Sequence, residues 1–344
     1  MSTRIDLSLA VALTVLVAFG VVMVSSAASA LDNTGAAYAV RHTVYVMAAL
    51  CTFAVVFGIP LRVWEWGHRY CLGAAVVLGT LVLIPGIGVV VNGSRRWIDL
   101  GFFTIQASEW IKFFVLIYLA GYLSRVQASV RDEPMALLRP VFWVGSVLVL
   151  VLAEPDFGSV VVIALLTAGL LFVAGVRLRH FFVIALVVVV ALGLLVVVEP
   201  YRMVRFASFM DPWSFAFDSG YQLTQALIAF GRGELFGVGL GDGIQKLFYL
   251  PEAHNDFIVA VVAEELGFAG VICVLALFVL AVLRMFRIAW LALEHDRTFG
   301  GLLGYGVGLL IGSQVLINVG VNAGLLPTKG LTLPFVSYGG NSLL

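Results

Sequence analysis

Several groups of residues have the types and spacing to do chemistry, and each lies beside or within a long apolar run. Asp256 closes the segment Tyr249-Leu250-Pro251-Glu252-Ala253-His254-Asn255-Asp256-Phe257, where a polar connection meets such a run. A carboxylate at a water–lipid boundary, its pKa raised by partial desolvation, could act as general base for a hydroxyl nucleophile. An aspartate there would equally serve as a helix N-cap. Glu109 and Lys112 stand i,i+3 on one helical face, able either to pair with each other or to meet a polar substrate together. Glu264 and Glu265 fall inside an apolar run, where an ionisable group is expensive and reads as functional by default. In a continuous helix Glu264 would lie on the order of 12 Å below Asp256. No basic residue accompanies the two glutamates in that run, so each needs a partner from elsewhere or a bound proton.

Two connections add polar clusters. In Asn92-Gly93-Ser94-Arg95-Arg96-Trp97-Ile98-Asp99 the adjacent arginines could hold a diphosphate while the indole sits among lipid headgroups, or the cluster could be an interfacial anchor. Leu326-Pro327-Thr328-Lys329-Gly330-Leu331-Thr332-Leu333-Pro334 looks like an interrupted helix or re-entrant loop leading to Ser337-Tyr338-Gly339-Gly340. Irregular backbone of that kind is tolerated at membrane depth only against protein or a water-filled cavity.

The elements that position these groups are membrane helices. Of the 344 residues 62% are apolar and 12% charged, against roughly 25% charged in a soluble domain. The balance excludes an ordinary soluble enzyme. The formal net charge is zero and no run of like charges occurs, so there is no nucleic-acid footprint and no polybasic lipid-binding tail. Cys51, Cys71 and Cys273 all fall in apolar runs, without disulfide or metal-ligand spacing, and read as packing residues.

Runs long enough for a bilayer predict spans at Leu7–Ser26, Thr43–Ile59, Tyr70–Val90, Ser108–Leu123, Val141–Leu152, Phe157–Gly175, Phe181–Val198, Phe257–Leu283 and Phe299–Ile317. These make nine complete spans; a tenth begins after Pro334 and is cut off at Leu344. The first run is too long for a signal-peptide core and lacks a clear cleavage site, so it is expected to remain as a span. Arginines at 4, 62, 69, 125, 131, 139, 177, 179, 284, 287 and 297 fall in one set of loops, and only Arg41, Arg95, Arg96 and Lys329 in the other. The positive-inside rule then places the N-terminus in the cytoplasm. Acidic Asp32, Asp99, Glu154 and Asp156 fall outside.

With that orientation, residues 199–256 form a large extracytoplasmic loop within a single integral-membrane domain, and function is expected there. The loop begins an amphipathic helix near Tyr221–Phe230 and continues with Gly231, Gly233, Gly237, Gly239, Gly241 and Gly243. No strand precedes these glycines, so a nucleotide-binding fingerprint does not fit, and a tightly folded or re-entrant loop is expected.

Taken together, YQLTQALIAFGRGELFGVGLG from Tyr221, QKLFYLPEAHNDFI from Gln245, EELGFAG from Glu264 and LLPTKGLTLPFVSYGG from Leu325 resemble the SEDS family of bacterial cell-wall polymerases, which have ten spans and a large outer loop after the seventh. The resemblance covers nearly the whole chain. Gly-Tyr-Gln at 220–222, Arg232, Pro-Glu-Ala-His at 251–254 and Pro-Thr-Lys-Gly at 327–330 are similar to the family's division-type rather than elongation-type members. Two departures occur: Gln106-Ala107 replaces the usual Gln-Pro, and His254-Asn255-Asp256-Phe257 the usual His-Thr-Asp-Phe.

The resemblance implies a peptidoglycan glycosyltransferase that polymerises lipid II for septal wall synthesis, in the bacterial inner membrane. It places the family's essential aspartate on Asp256, its glutamate and lysine on Glu109 and Lys112, and its outer-loop tryptophan on Trp97. Arg96, Arg41, Lys112 and Lys329 become candidates for the diphosphate, and Ser337 joins the substrate-binding set. A divalent cation, magnesium or manganese, could share that task; no cofactor is otherwise implied. The expected partners are a class B penicillin-binding protein, the septal transpeptidase FtsI, and other division proteins. The rival reading is a flippase or transporter of lipid-linked precursors, built from the same ingredients. A scaffold that only recruits division factors is a third. No internal repeat is apparent, and the charged groups cluster toward the outer face rather than the midplane, which disfavours transport.

Overall fold

The computed structural model describes residues 5–29, 35–91, 93–99, 101, 104–130 and 133–343. Arg4, Asp32, Asn92 and Arg131 lie outside the described residues. In chain order the helices are α1 (Leu7–Ala28), α2 (Gly35–Phe57), α3 (Leu61–Leu83), α4 (Ala107–Val130), α5 (Pro134–Ala153), α6 (Phe157–Val173), α7 (Leu178–Val198), α8 (Pro200–Met210), α9 (Tyr221–Gly233), α10 (Ile258–Glu294), α11 (Thr298–Asn322) and α12 (Gly340–Leu343). Among the described residues, seven of these are long and apolar enough to cross a bilayer. Each of the nine predicted spans falls on a helix, because in lipid a continuous apolar run can satisfy its own backbone only by coiling.

The chain divides into two compact units: Val56–Val190 with Met285–Ser313, and Met1–Val55 with Ala191–Arg284 and Gln314–Leu344. In the former, α4 packs against α3, α5 and α6. Its Ile111, Val115, Leu116, Leu119 and Leu123 are fully enclosed, and Gly121 lets the His68 ring of α3 lie directly on the helix backbone.

The third predicted span was placed at Tyr70–Val90, but α3 starts at Leu61 and stops at Leu83. Pro85 forces Ile84 into an extended conformation, and Gly86 turns the chain through a positive φ of 94°. The β-branched residues that follow form a three-stranded antiparallel sheet: β1 (Gly88–Val91), β2 (Ser94–Asp99) and β3 (Thr104–Gln106), in the order β1-β2-β3. Val89 faces Trp97, Trp97 faces Gln106, and a bulge follows Val89. The cluster read as a loop is thus a sheet set against the start of α4, and Ala107, standing where proline is usual, is simply the first residue of that helix.

Two predicted spans were too short at their starts. Arg41 and His42 stand just before the expected start at Thr43, and the fifth span, which looks short in sequence because Glu154-Pro155-Asp156 cuts it off from the sixth, begins at Pro134 rather than Val141. Pro140 lies inside a helix that itself opens with Pro134 in its first turn. Of the cysteines read as packing residues, Cys71 is buried but Cys51 and Cys273 are exposed. In a membrane helix the outward face meets lipid, so an apolar run does not distinguish core from perimeter.

In the other unit, α1 brings Gly20 against the backbone of Phe335 and Val336. The large connection holds α8, which was not anticipated, and α9, which was. Beyond α9 the chain folds back onto α10 at Gly267, whose φ of 69° and ψ of −171° break that helix. The break frees carbonyls, and the loop satisfies them. The amides of Val238 and Gly239 donate to Glu264 and Glu265 at 3.0 and 3.1 Å, while those of Phe268 and Ala269 donate to Glu234 and Leu235 at 2.9 and 3.0 Å. Gly233 and Gly237 are required because a Cβ on either would strike the α10 backbone at Ala263 or Glu265. The glycine-rich stretch is therefore a docking segment for an interrupted helix.

Candidate active site

Asp256 stands two residues before α10 and is half-buried. Its backbone is held from α11: Asn318 and Asn322 each donate a side-chain N–H to the Asp256 carbonyl at 2.9 Å. The Asn322 oxygen also accepts from the Ala260 amide at 3.1 Å, so part of the capping of α10 is supplied by another helix. Gln314, Asn318 and Asn322 form a buried polar stripe at i, i+4 and i+8 on an otherwise apolar helix. The sequence reading missed them; that spacing was the available signal.

The Leu326–Pro334 segment closes over the same place. A Cβ on Gly330 would lie 3.0 Å from Asp256 Oδ2, so the absence of a side chain there lets the backbone come up to the carboxylate. Lys329 is half-buried beside it in sequence, and Arg205 of α8 pins the segment by donating to the Thr328 carbonyl at 3.3 Å. Ser337, placed among the substrate-binding residues by resemblance, is fully buried. Its hydroxyl donates to the Asn255 carbonyl at 2.7 Å and accepts from the Leu333 amide at 2.8 Å. The Tyr338 amide donates to the His254 carbonyl at 2.9 Å. Both residues bordering Asp256 on its N-terminal side are therefore strapped to the 333–338 turn.

An aromatic cluster adjoins this turn. Tyr38, His42 and Tyr45 recur at i, i+4 and i+7 on α2, and all three rings face Tyr338, with His254 contacting Tyr38 and Tyr338. Burial holds the His254 imidazole below its usual range, with Glu252 opposing. Arg41 is exposed on the same stretch of α2.

Glu264 and Glu265 find the partners that their own span lacked. Both are 0% exposed. Glu264 accepts from Arg232 of α9 and the Ile244 amide at 3.0 Å each, and from the Gln245 amide at 3.1 Å. Glu265 accepts from Lys246 at 2.6 Å, the Gly241 amide at 3.0 Å and the Ser26 hydroxyl of α1 at 2.7 Å.

In the first unit described, Lys112 and Glu109 pair with each other at 2.7 Å, with the lysine 1% exposed and the glutamate 15%. Arg96 donates to the carbonyls of Glu154 and Pro155 at 3.1 and 2.6 Å, so it braces the turn between α5 and α6. Trp97, half-exposed on β2, faces Gln106. Glu154 is enclosed there with neither carboxylate oxygen hydrogen-bonded. Burial pushes its carboxyl up to about 8, Asp156 adding to the rise and Arg96 opposing it. Among the described residues no three His, Cys, Asp or Glu side chains could together hold a metal ion.

A family model described as a cell cycle protein, covering FtsW, RodA and SpoVE, matches residues 6–344. The chain belongs to the FtsW/RodA/SpoVE family. It is 49% identical over 333 residues to the probable peptidoglycan glycosyltransferase FtsW of Coxiella burnetii, covering 96% of this chain and 90% of that protein. A protein of the same description in Thioalkalivibrio sulfidiphilus is 46% identical, over 100% of this chain and 87% of the relative. Among solved structures, a chain from a peptidoglycan synthase complex that coordinates polymerization and crosslinking superposes with a TM-score of 0.81, at 28% identity over 99% of this chain and 94% of that one. The rod shape determining protein RodA of Thermus thermophilus gives 0.73 at 28% identity, over 99% and 93%. Family membership agrees with the SEDS resemblance, and the higher identity to FtsW proteins agrees with its division branch.

Proposed function

We propose that this peptidoglycan glycosyltransferase polymerises lipid II with Asp256 as general base. The acceptor sugar's 4-hydroxyl gives its proton to the Asp256 carboxylate as its oxygen attacks the anomeric carbon of the donor. The bond from that carbon to the diphosphate breaks, and the polyprenyl diphosphate leaves with the electron pair. An α-linked donor gives a β-linked strand, so a single inverting displacement with one base suffices, unlike the close carboxylate pair of retaining glycosidases. Cations that stabilise charge growing on the leaving diphosphate are proposed from Lys329, Arg41, Lys112 and Arg96. Of these, Arg96 has its guanidinium already engaged by two carbonyls and Lys112 its buried ammonium by Glu109.

The observation that carries the assignment is a contrast between Asp256, in the turn that leads into α10, and the two glutamates inside that helix. Glu264 and Glu265 are enclosed, and every one of their carboxylate oxygens is occupied by protein donors. Asp256 is half-exposed, and its main chain is gripped from α11. A base needs its main chain fixed and its carboxylate within reach of substrate.

The setting proposed with it is the division septum, with the N-terminus cytoplasmic and Asp256 at the outer face. A class B penicillin-binding protein of the FtsI type is the proposed partner, since the solved relative comes from a complex joining polymerization to crosslinking. The test is glycan-strand formation from labelled lipid II in liposomes, using the protein with its transpeptidase partner and a β-lactam to block crosslinking. Wild type should give a ladder. Asp256→Asn, which keeps shape but cannot take the proton, should lose it by a factor of about 10²–10⁴. Near-normal strands from the folded Asn variant would remove the general base.

A further inference from the structure

The buried ion pairs behind Asp256 are costly by simple electrostatics. Taking Glu264, Glu265 and Lys246 out of water carries a desolvation penalty that well-packed apolar residues of similar size would not incur. Such a network is therefore a poor device for stability alone. What charged oxygens provide, and methyl groups do not, is direction: each accepts from a donor at one distance along one line.

Apart from Arg232 of α9 and Ser26 of α1, those donors belong to a single stretch of chain, residues 241–246. Glu264 takes the successive amides of Ile244 and Gln245. The Gln245 carbonyl then accepts the Leu250 amide at 2.8 Å, and Leu250 opens the turn that runs into Asp256 and α10. Residues 244 to 264 thus form a closed loop, joined at its base by one carboxylate, and Asp256 lies on it. Glu265 lies about 100° further around the helix. It grips the loop at Gly241 and Lys246 and ties both to Ser26 of α1. Lys246 adds a bond to the Gly241 carbonyl at 2.7 Å. Two attachments at different angles fix the rotation of the loop as well as its distance from the helix.

We propose that Glu264 and Glu265 are positioning residues for Asp256, acting as paired staples that hold the 241–250 segment on α10 and so aim the turn that carries the base. The proposal rests on Asp256 being that base. In this role neither glutamate touches substrate: Glu264 acts through the Ile244 and Gln245 amides, and Glu265 through the Gly241 amide and the Lys246 ammonium.

The experiment uses the full chain with its transpeptidase partner. It compares wild type, Asp256→Asn, Glu264→Ala, Glu264→Gln and the neutral pair Lys246→Met/Glu265→Gln. Turnover and KM for lipid II are measured per folded molecule, alongside hydrogen exchange of the 241–250 amides. Glu264→Ala is expected to lower kcat on the order of 10–100-fold, the cost of misplacing a catalytic group by about an ångström, with little change in KM. The same variant should speed exchange across 241–250. Glu264→Gln retains an acceptor oxygen for the Ile244 and Gln245 amides and should recover most of the rate, which a loss of charge alone would not permit. Should Glu264→Ala fail to fold, the neutral pair decides, with the same direction expected in kcat and exchange. Wild-type kcat in either variant, or unaltered exchange, overturns the staple. An inactive Asp256→Asn beside an active Glu264→Ala would sink the staple alone; an active Asp256→Asn would sink both it and the base.

Discussion

Lys112 is enclosed with its ammonium 2.7 Å from Glu109, and the consequence for stability can be worked out from burial alone. Removing the carboxylate leaves a buried charge without compensation, which costs about 3–5 kcal/mol. Glu109→Gln should therefore lower the unfolding temperature of the detergent-solubilised protein sharply, and Glu109→Gln/Lys112→Met should regain most of the loss. If the single variant melts like wild type, the pair is not the buried unit described. Glu154 gives a second prediction at this scale. Its folded-state pKa is raised to about 8 from 4.5, so the folded chain binds a proton that the unfolded chain releases. Stability should then fall as pH rises from about 4.5 to about 8 and level off above. Glu154→Gln should flatten that slope in a pH series of melting curves, and should stabilise more at pH 8 than at pH 5. The i,i+3 spacing of Glu109 and Lys112 was legible in sequence, whereas the enclosure of Glu154 was not, because nothing local distinguishes a turn carboxylate in water from one under β2.

Between residues and the whole stands the broken helix α10. Its apolar run is continuous through Gly267, and periodicity sees only an apolar stretch with one glycine in it. The break becomes visible when Leu235 and Gly237 are seen against that glycine. Gly267→Ala would place a Cβ against the Gly237 amide and the Leu235 carbonyl in a backbone conformation that essentially only glycine adopts. The conformational part alone is about 1–3 kcal/mol. The expected result is a larger loss than that in thermal unfolding, together with faster exchange at Val238 and Gly239. Gly145→Ala, on α5 with nothing within 4 Å of the added carbon, is the control and should be neutral or stabilising by up to about 1 kcal/mol. Equal effects at the two positions would mean that the loop does not dock there. The same scale explains why α3 was placed too far along: an apolar run was followed across Pro85-Gly86 into a strand.

For the molecule as a whole, the arginine distribution makes a prediction about orientation that chemistry can read. On a background lacking Cys51, Cys71 and Cys273, a cysteine at Phe217, which is fully exposed in the long connection, should react with a membrane-impermeant maleimide added outside intact cells. One at Arg177, between α6 and α7, should react only after the membrane is opened. The reverse pattern would invert the topology and place Asp256 on the cytoplasmic side, where lipid-linked substrate facing outward could not reach it.

Composition and apolar run length sufficed to determine a polytopic helical membrane protein, because hydrocarbon admits few other ways to satisfy a backbone. Local motifs marked Asp256, the 327–330 segment and the Glu109–Lys112 pair as candidates. Tertiary structure alone decided what holds them: Asn318 and Asn322 on the Asp256 carbonyl, Arg232 and Lys246 on the paired glutamates, and the Glu154 and Pro155 carbonyls on Arg96. The physical reason is range. Periodicity along a chain reports which face is buried, but the partner of a buried charge is chosen by folding; the Glu265 carboxylate meets Lys246 from 19 residues away and Ser26 from 239.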